Sequence, residues 1–193
     1  MTTQASHDPW VNVRTRHDFP ADEVISALQK EIRRGHTENA AALAYEMATT
    51  SPELEAYLWK RLAVISVEDV GYGNVQAPVL IHTLHQMARS LDRSDGERLL
   101  FATHAVRYLC SCHKDRSSDE MICWLKHEIE SGRLLPTIPD YALDMHTARG
   151  TQMGRGARHF WEEGARLSPE LSDRDTTYRQ RVLKTLDGIE EAM

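Results

Sequence analysis

No apolar stretch in these 193 residues approaches the roughly 20 that a membrane-spanning helix needs. A membrane partner is therefore not expected. The N-terminus is polar and carries no signal-peptide core, which makes the cytoplasm the expected location. Cysteine is scarce and odd in number: Cys110, Cys112 and Cys123 crowd into one short stretch, unlike the framework of a secreted disulfide protein. They read as reduced thiols. With 7 Pro and 10 Gly, a fibrous or low-complexity chain is excluded. Positive charge is also short, 23 Lys and Arg against 29 Asp and Glu for a net charge of −6. Such a body is repelled by polyphosphate unless its positive charge is gathered locally, so it is not expected to wrap nucleic acid.

The usual catalytic signatures are missing too. There is no G-x-x-x-x-G-K-[ST], and Gly71-Tyr72-Gly73 has the wrong continuation for a dinucleotide site. Neither G-x-S-x-G nor H-E-x-x-H occurs. These residues alone should not hydrolyse ATP, and neither a catalytic residue nor a cofactor is expected.

What the sequence does have is helical periodicity. Hydrophobic residues make up 41% and recur at spacings of three and four from Ala21 onward, with no convincing alternating run. The fold expected is all-α, an antiparallel multi-helix bundle. Val24, Ile25, Leu28 and Ile32 form the first stripe, which ends at Arg33-Arg34-Gly35. A second helix starts near Thr37 and is rich in small residues, Ala40, Ala41, Ala42 and Ala44, which permit close approach to a neighbour. Ser51-Pro52-Glu53 opens a third, with Leu54, Leu58, Leu62 and Ile65 on one face, stopping before Gly71. Pro78 is tolerable only in the opening turn of a fourth, which carries Leu80, Leu84, Met87 and Leu91. Ser94-x-x-Glu97 and Ser117-x-x-Glu120 have capping-box form and predict two more helices. Their stripes are Leu99, Thr103, Val106, Cys110 and Ile122, Leu125, Ile129.

After Gly132 the texture changes: Pro136 and Pro139 bracket an extended stretch, and four glycines fall between Gly150 and Gly164. The expected organisation is an N-terminal extension over 1–20, a helical domain over 21–131, and a Gly/Arg-rich irregular segment with a terminal helix over 132–193, packed on that domain. The terminal stripe is Tyr178, Val182, Leu186 and Ile189.

Three polar groupings invite a functional reading. Cys110, Cys112, His113 and Cys123 are soft ligands, but residues two apart on a helix point away from each other, and no metal site is expected. Glu68 and Asp69 sit at the negative end of the third helix dipole, so either solvent or a basic residue of a neighbouring helix or subunit must offset them. His146, Arg149, Arg155, Arg158 and His159 lie among Gly150, Gly154 and Gly156. Arginine forks and glycine amides suit phosphate or carboxylate, as in a small anion-binding protein or enzyme with Arg149, Arg155 and Arg158 as clamp and His146 or His159 as acid/base. The alternative is that the arginines bind carbonyls of their own loop, with Glu162 and Glu163 close by to neutralise them. Several copies in an oligomer could also add weak positive patches into a DNA contact. Tyr45, Tyr57, Trp59 and Tyr72, with Glu68 and Asp69, are the candidate interface residues.

Val24-Ile25-Ser26-Ala27, Lys30, Arg33-Arg34-Gly35, Ala40-Ala41-Ala42-Leu43, Arg61-Leu62 and Ser66-Val67-Glu68-Asp69-Val70-Gly71 resemble, in order and spacing, the C-terminal part of replication-associated recombination protein A and its relative, the Werner-helicase-interacting ATPase. The likeness continues more weakly through Ala77-Pro78 and Lys114 to about Trp124. The resemblance implies a helical oligomerisation domain, like the clamp-loader collar, that follows an AAA+ core and assembles a homotetramer. No such core is present in these residues. The resemblance therefore implies either a free-standing collar or one that works beside a separate replication or repair ATPase.

Overall fold

The computed structural model describes residues 9–190, leaving part of the expected N-terminal extension and the side chain of Ile189 outside the described residues. Those residues are helical with no strand; an isolated bridge pairs Arg14 with Pro20. No helix among them is long and apolar enough to cross a membrane. The chain divides into two compact units, Met1–Arg133 and Leu134–Met193, beside the change of texture after Gly132.

The first unit is an all-helical bundle. Helix α1, Ala21–Arg34, buries Val24, Leu28 and Ile32 and ends at Gly35 in the left-handed region. Helix α2, Thr37–Thr50, buries Ala40, Ala44, Met47 and Ala48. It packs against α1, against α3 (Pro52–Ile65) and against α5 (Glu97–Ser111). Ala40, Ala44 and Ala48 are thus spent inside the chain, where they let three helices close in on α2, while Ala42 stays exposed. Ser51 caps α3 by accepting from the Leu54 amide at 3.1 Å, and Pro52 occupies the first turn. Leu54, Leu58, Leu62 and Ile65 are wholly buried, each worth about 1.5–3 kcal/mol relative to exposure. Helix α4, Ala77–Arg89, carries Pro78 in its opening turn and buries Ile81, Leu84 and Ala88.

Two expectations are corrected here. Neither capping box forms. Gly96 and Arg116 stand at the N-caps of α5 and of α6 (Ser117–Glu130), without side-chain cap bonds. Asp95 closes its own turn by accepting from the Asp92 amide, and Asp115, rather than Ser117, takes up a free amide at the start of α6, that of Ser117, at 2.8 Å. The stripe of α6 is also not core. None of its residues is buried, and Met121, Ile122, Trp124 and Ile129 are exposed. The helix forms as its period predicts, but α1 to α5 already satisfy one another, and α6 leans on them mainly through the turn that follows α3. In α5 the buried line runs through Ala102, Ala105, Val106, Leu109 and Cys110, with Leu99 and Thr103 at its margin.

In the second unit the irregular segment contains short helices that periodicity is too brief to announce: α7, Ala148–Gln152, and α8, Ala157–His159, which widens into a π-helical turn over Phe160–Gly164. Thr147 caps α7 by accepting from the Gly150 amide. A Cβ at Gly150 would stand 2.0 Å from the Asp144 carbonyl oxygen, so only glycine fits. The terminal helix α9, Thr177–Glu190, completes the unit, with Tyr178 exposed and Val182 and Leu186 partly covered.

Candidate functional site

Helix α3 does not stop at Ile65. Its backbone widens into a π-helical turn over Ser66–Val70, then tightens into a 3-10 turn over Gly71–Gly73. Such interruptions gather at functional sites. Here the widened turn carries Asp69 to full burial, with a side chain 0% exposed. A buried carboxylate must be paired. Arg33 Nε of α1 donates to Asp69 Oδ1, Gln29 Nε2 donates to Asp69 Oδ2 at 2.9 Å, and Arg116 Nη1 lies 3.9 Å from Oδ1. Glu68 accepts from Gln29 at 2.7 Å and from Arg33 at 3.3 Å, with Arg61 and Arg116 within 4 Å. Arg116 also pairs with Asp119, whose hydrogen bond holds its guanidinium still more firmly protonated. Three arginines thus meet three carboxylates, and α1, α3, the turn and α6 are joined by charge.

The backbone completes the clasp. The Asp115 amide donates to the Asp69 carbonyl at 3.0 Å. Gly71, at φ +50°, lets the chain turn there: a Cβ would stand 2.4 Å from the Asp115 carbonyl oxygen. The cation needed beside Glu68-Asp69 is therefore supplied by neighbouring helices of the same chain.

Beside this clasp the surface is apolar. A groove of about 530 Å³ runs between α3 and α6, lined by Ala63, Val64, Val67 and Ile122 with Lys60, Glu68, Ser118 and Asp119 on its polar side. A smaller cavity of about 260 Å³ continues from it past Tyr72, Val75 and Pro78. Large apolar side chains stand open here: Tyr72 is 76% exposed, Ile122 60% and Val67 51%.

The candidate interface residues fare unequally. Tyr72 and Tyr45 are exposed. Tyr57 is partly covered by Trp10, ring centroids 5.0 Å apart. Trp59 is buried at 2% exposure and stacked on His85, and Asp69 is wholly interior. These two have no surface to offer a partner, because the aromatic ring fills the core and the carboxylate ties helices together. The missed participants are Gln29, Arg33, Arg61, Arg116 and Ile122. The sequence signal for the arginines was charge balance, two carboxylates at the wrong end of a helix demanding cations, and for Ile122 its place on the apolar stripe of the sixth helix.

In the second unit, Arg155, Arg158 and His159 line a cavity of about 540 Å³ with Glu162, Glu163 and Leu186. His146 and Arg149 are not among its lining residues. Arg155 donates to the Asp140 and Leu143 carbonyls at 2.6 and 2.9 Å and pairs with the Asp140 carboxylate at 2.6 Å. Arg158 pairs with Glu162 at 3.0 Å and with Asp187. His146 packs edge-on to Phe160, ring centroids 5.0 Å apart. The His146 backbone amide, and then its side chain, hold the Asp144 carboxyl below its usual range against the opposing effect of burial. Arg149 is exposed. Two of the three arginines are therefore occupied in holding their own loop and helices.

Cys110 is buried, which pushes its thiol pKa up; Cys112 is partly buried and Cys123 exposed. No three His, Cys, Asp or Glu side chains among the described residues come close enough to hold a metal.

Compared with known families, residues 36–167, about two thirds of the chain, match the one described as the C terminal of the MgsA AAA+ ATPase. No curated protein matches the chain.

Proposed function

The chain belongs to the MgsA AAA+ ATPase C-terminal family, and from that premise we propose that it is a non-catalytic oligomerisation module of the replication and repair ATPase machinery, assembling in the cytoplasm as a homotetramer. The observation that carries this reading is the open apolar surface around Val67, Tyr72, Val75 and Ile122. Contiguous exposed apolar patches mark interaction sites, and aromatic anchors such as Tyr72 are typical of their centres. The ion-pair clasp behind this surface holds it rigid, so little ordering cost falls on association. A separate ATPase of replication or repair is the second partner proposed. DNA has no part in this reading, because Arg155 and Arg158 are already paired with carboxylates.

Light scattering at micromolar concentration tests it. The expected mass is that of a tetramer, and Ile122→Asp together with Tyr72→Ala should shift it to the monomer with helicity unchanged. A strictly monomeric parent chain sinks the proposal.

A further inference from the structure

The helical unit holds another cluster that neither its core nor its apolar groove uses. Arg89 ends α4, Arg93 and Arg98 follow across the α4–α5 connection, and all three line a cavity of about 370 Å³ with Glu55, Trp59 and His85. That volume lies within the range of small-ligand sites. Glu55 is the sole acid in the lining. It is buried, and its two oxygens accept from Arg93 Nε, at 2.9 Å, and from Arg98 Nε.

The structural needs of these arginines are met by part of each fork. Arg93 Nη2 donates to the Ala48 carbonyl at 2.8 Å, and Arg98 Nη1 donates to the Leu91 carbonyl at 2.6 Å. Among the described residues, Arg93 Nη1 and Arg98 Nη2 have no hydrogen-bond partner, and the Arg89 side chain makes no hydrogen bond or ion pair. Three guanidiniums against one carboxylate leave a positive excess, which persists when the nearby Glu53 is counted. His85 feels this field. Burial first, then Arg89, His82 and Arg98, push its pKa down against the opposing pull of Glu55. The remaining wall is flat: the partly exposed His85 ring is backed by the buried Trp59, parallel to it at 4.9 Å with 11° between planes, and Pro52 and Ala56 lie beside it.

We propose that this pocket binds a small organic phosphate, the phosphate dianion resting on Arg89 and the free Nη donors of Arg93 and Arg98, and a planar body lying against the His85 ring. Guanidinium forks match phosphate oxygens in charge and in geometry. Positive donors gathered in an otherwise acidic chain would attract such an anion selectively.

Isothermal titration of the intact chain with AMP, adenosine and inorganic phosphate is the test. AMP should bind with a submillimolar Kd that weakens as salt rises. Adenosine should not bind, and inorganic phosphate should bind more weakly than AMP. Arg89→Glu, at an exposed position outside the core, should weaken AMP by at least about tenfold with its circular dichroism unchanged. His85→Ala should erase the advantage of AMP over inorganic phosphate. Failure of AMP to bind at millimolar concentration, or equal binding by Arg89→Glu, would overturn the assignment.

Discussion

Two arginine–carboxylate clusters in this chain use the same side chains for different ends. Around Asp69 the arginines come from α1, α3 and the start of α6, and Asp69's own partners Gln29, Arg33 and Arg116 all lie more than thirty residues away in sequence. Around Arg155 and Arg158 most partners are within fifteen residues and the carboxylates are largely open to solvent, Asp140 being 72% exposed. In the first, charge is desolvated and must be matched; removing one partner strands the others. In the second, water would replace a lost partner at little cost. Arginine density along the chain therefore says less about importance than burial does.

The largest effect expected from this contrast is at Asp69. Asp69→Ala should cost about 3–5 kcal/mol in urea unfolding, the usual penalty for breaking a buried pair. A loss near that of an ordinary surface substitution would erase the distinction between the clusters. Next comes Gly71→Ala, which meets both a left-handed backbone and the Asp115 carbonyl. The strain alone predicts about 1–3 kcal/mol, read from the same unfolding curves. Arg155→Ala should cost about 1 kcal/mol or less, visible as faster amide hydrogen exchange over 140–155 with the first unit unaffected.

The smallest effect is acid-dependent. Because the folded Asp144 pKa is depressed, its contribution is complete above the unfolded value of about 3.9 and is lost as pH falls from there through the lower folded value. Asp144→Asn should flatten that limb of the second unit's stability, as followed by amide exchange against pH. An unchanged acid limb would show that the carboxylate contributes nothing there.

Much of the bundle was legible in advance. The α1 stripe, the Ser51–Pro52 start of α3 and the placement of Pro78 follow from local rules of periodicity and amide accounting, which need no knowledge of neighbours. The capping boxes failed because their form, a serine three residues before a glutamate, is common by chance, and Asp95 and Asp115 offered better acceptors. Ile122, Leu125 and Ile129 show the limit of periodicity: a stripe announces a helix and a face, never what covers it. Of the candidate interface residues, Tyr72 is exposed and Trp59 is buried, since an aromatic suited to an interface is equally suited to a core.

What the sequence by itself determined is the helical character of the chain, its change of texture near Gly132 and the need for cations near Glu68-Asp69. Those are properties of neighbouring residues, set by hydrogen bonds and dipoles a few residues long. Only the tertiary structure decided that the cations are Arg33, Arg61 and Arg116, that α2 buries Ala40, Ala44 and Ala48 inside the chain, and that α6 leaves its apolar face open. Each of these depends on which distant surfaces meet, and burial, which turns a surface charge into a structural one, exists only once they have met.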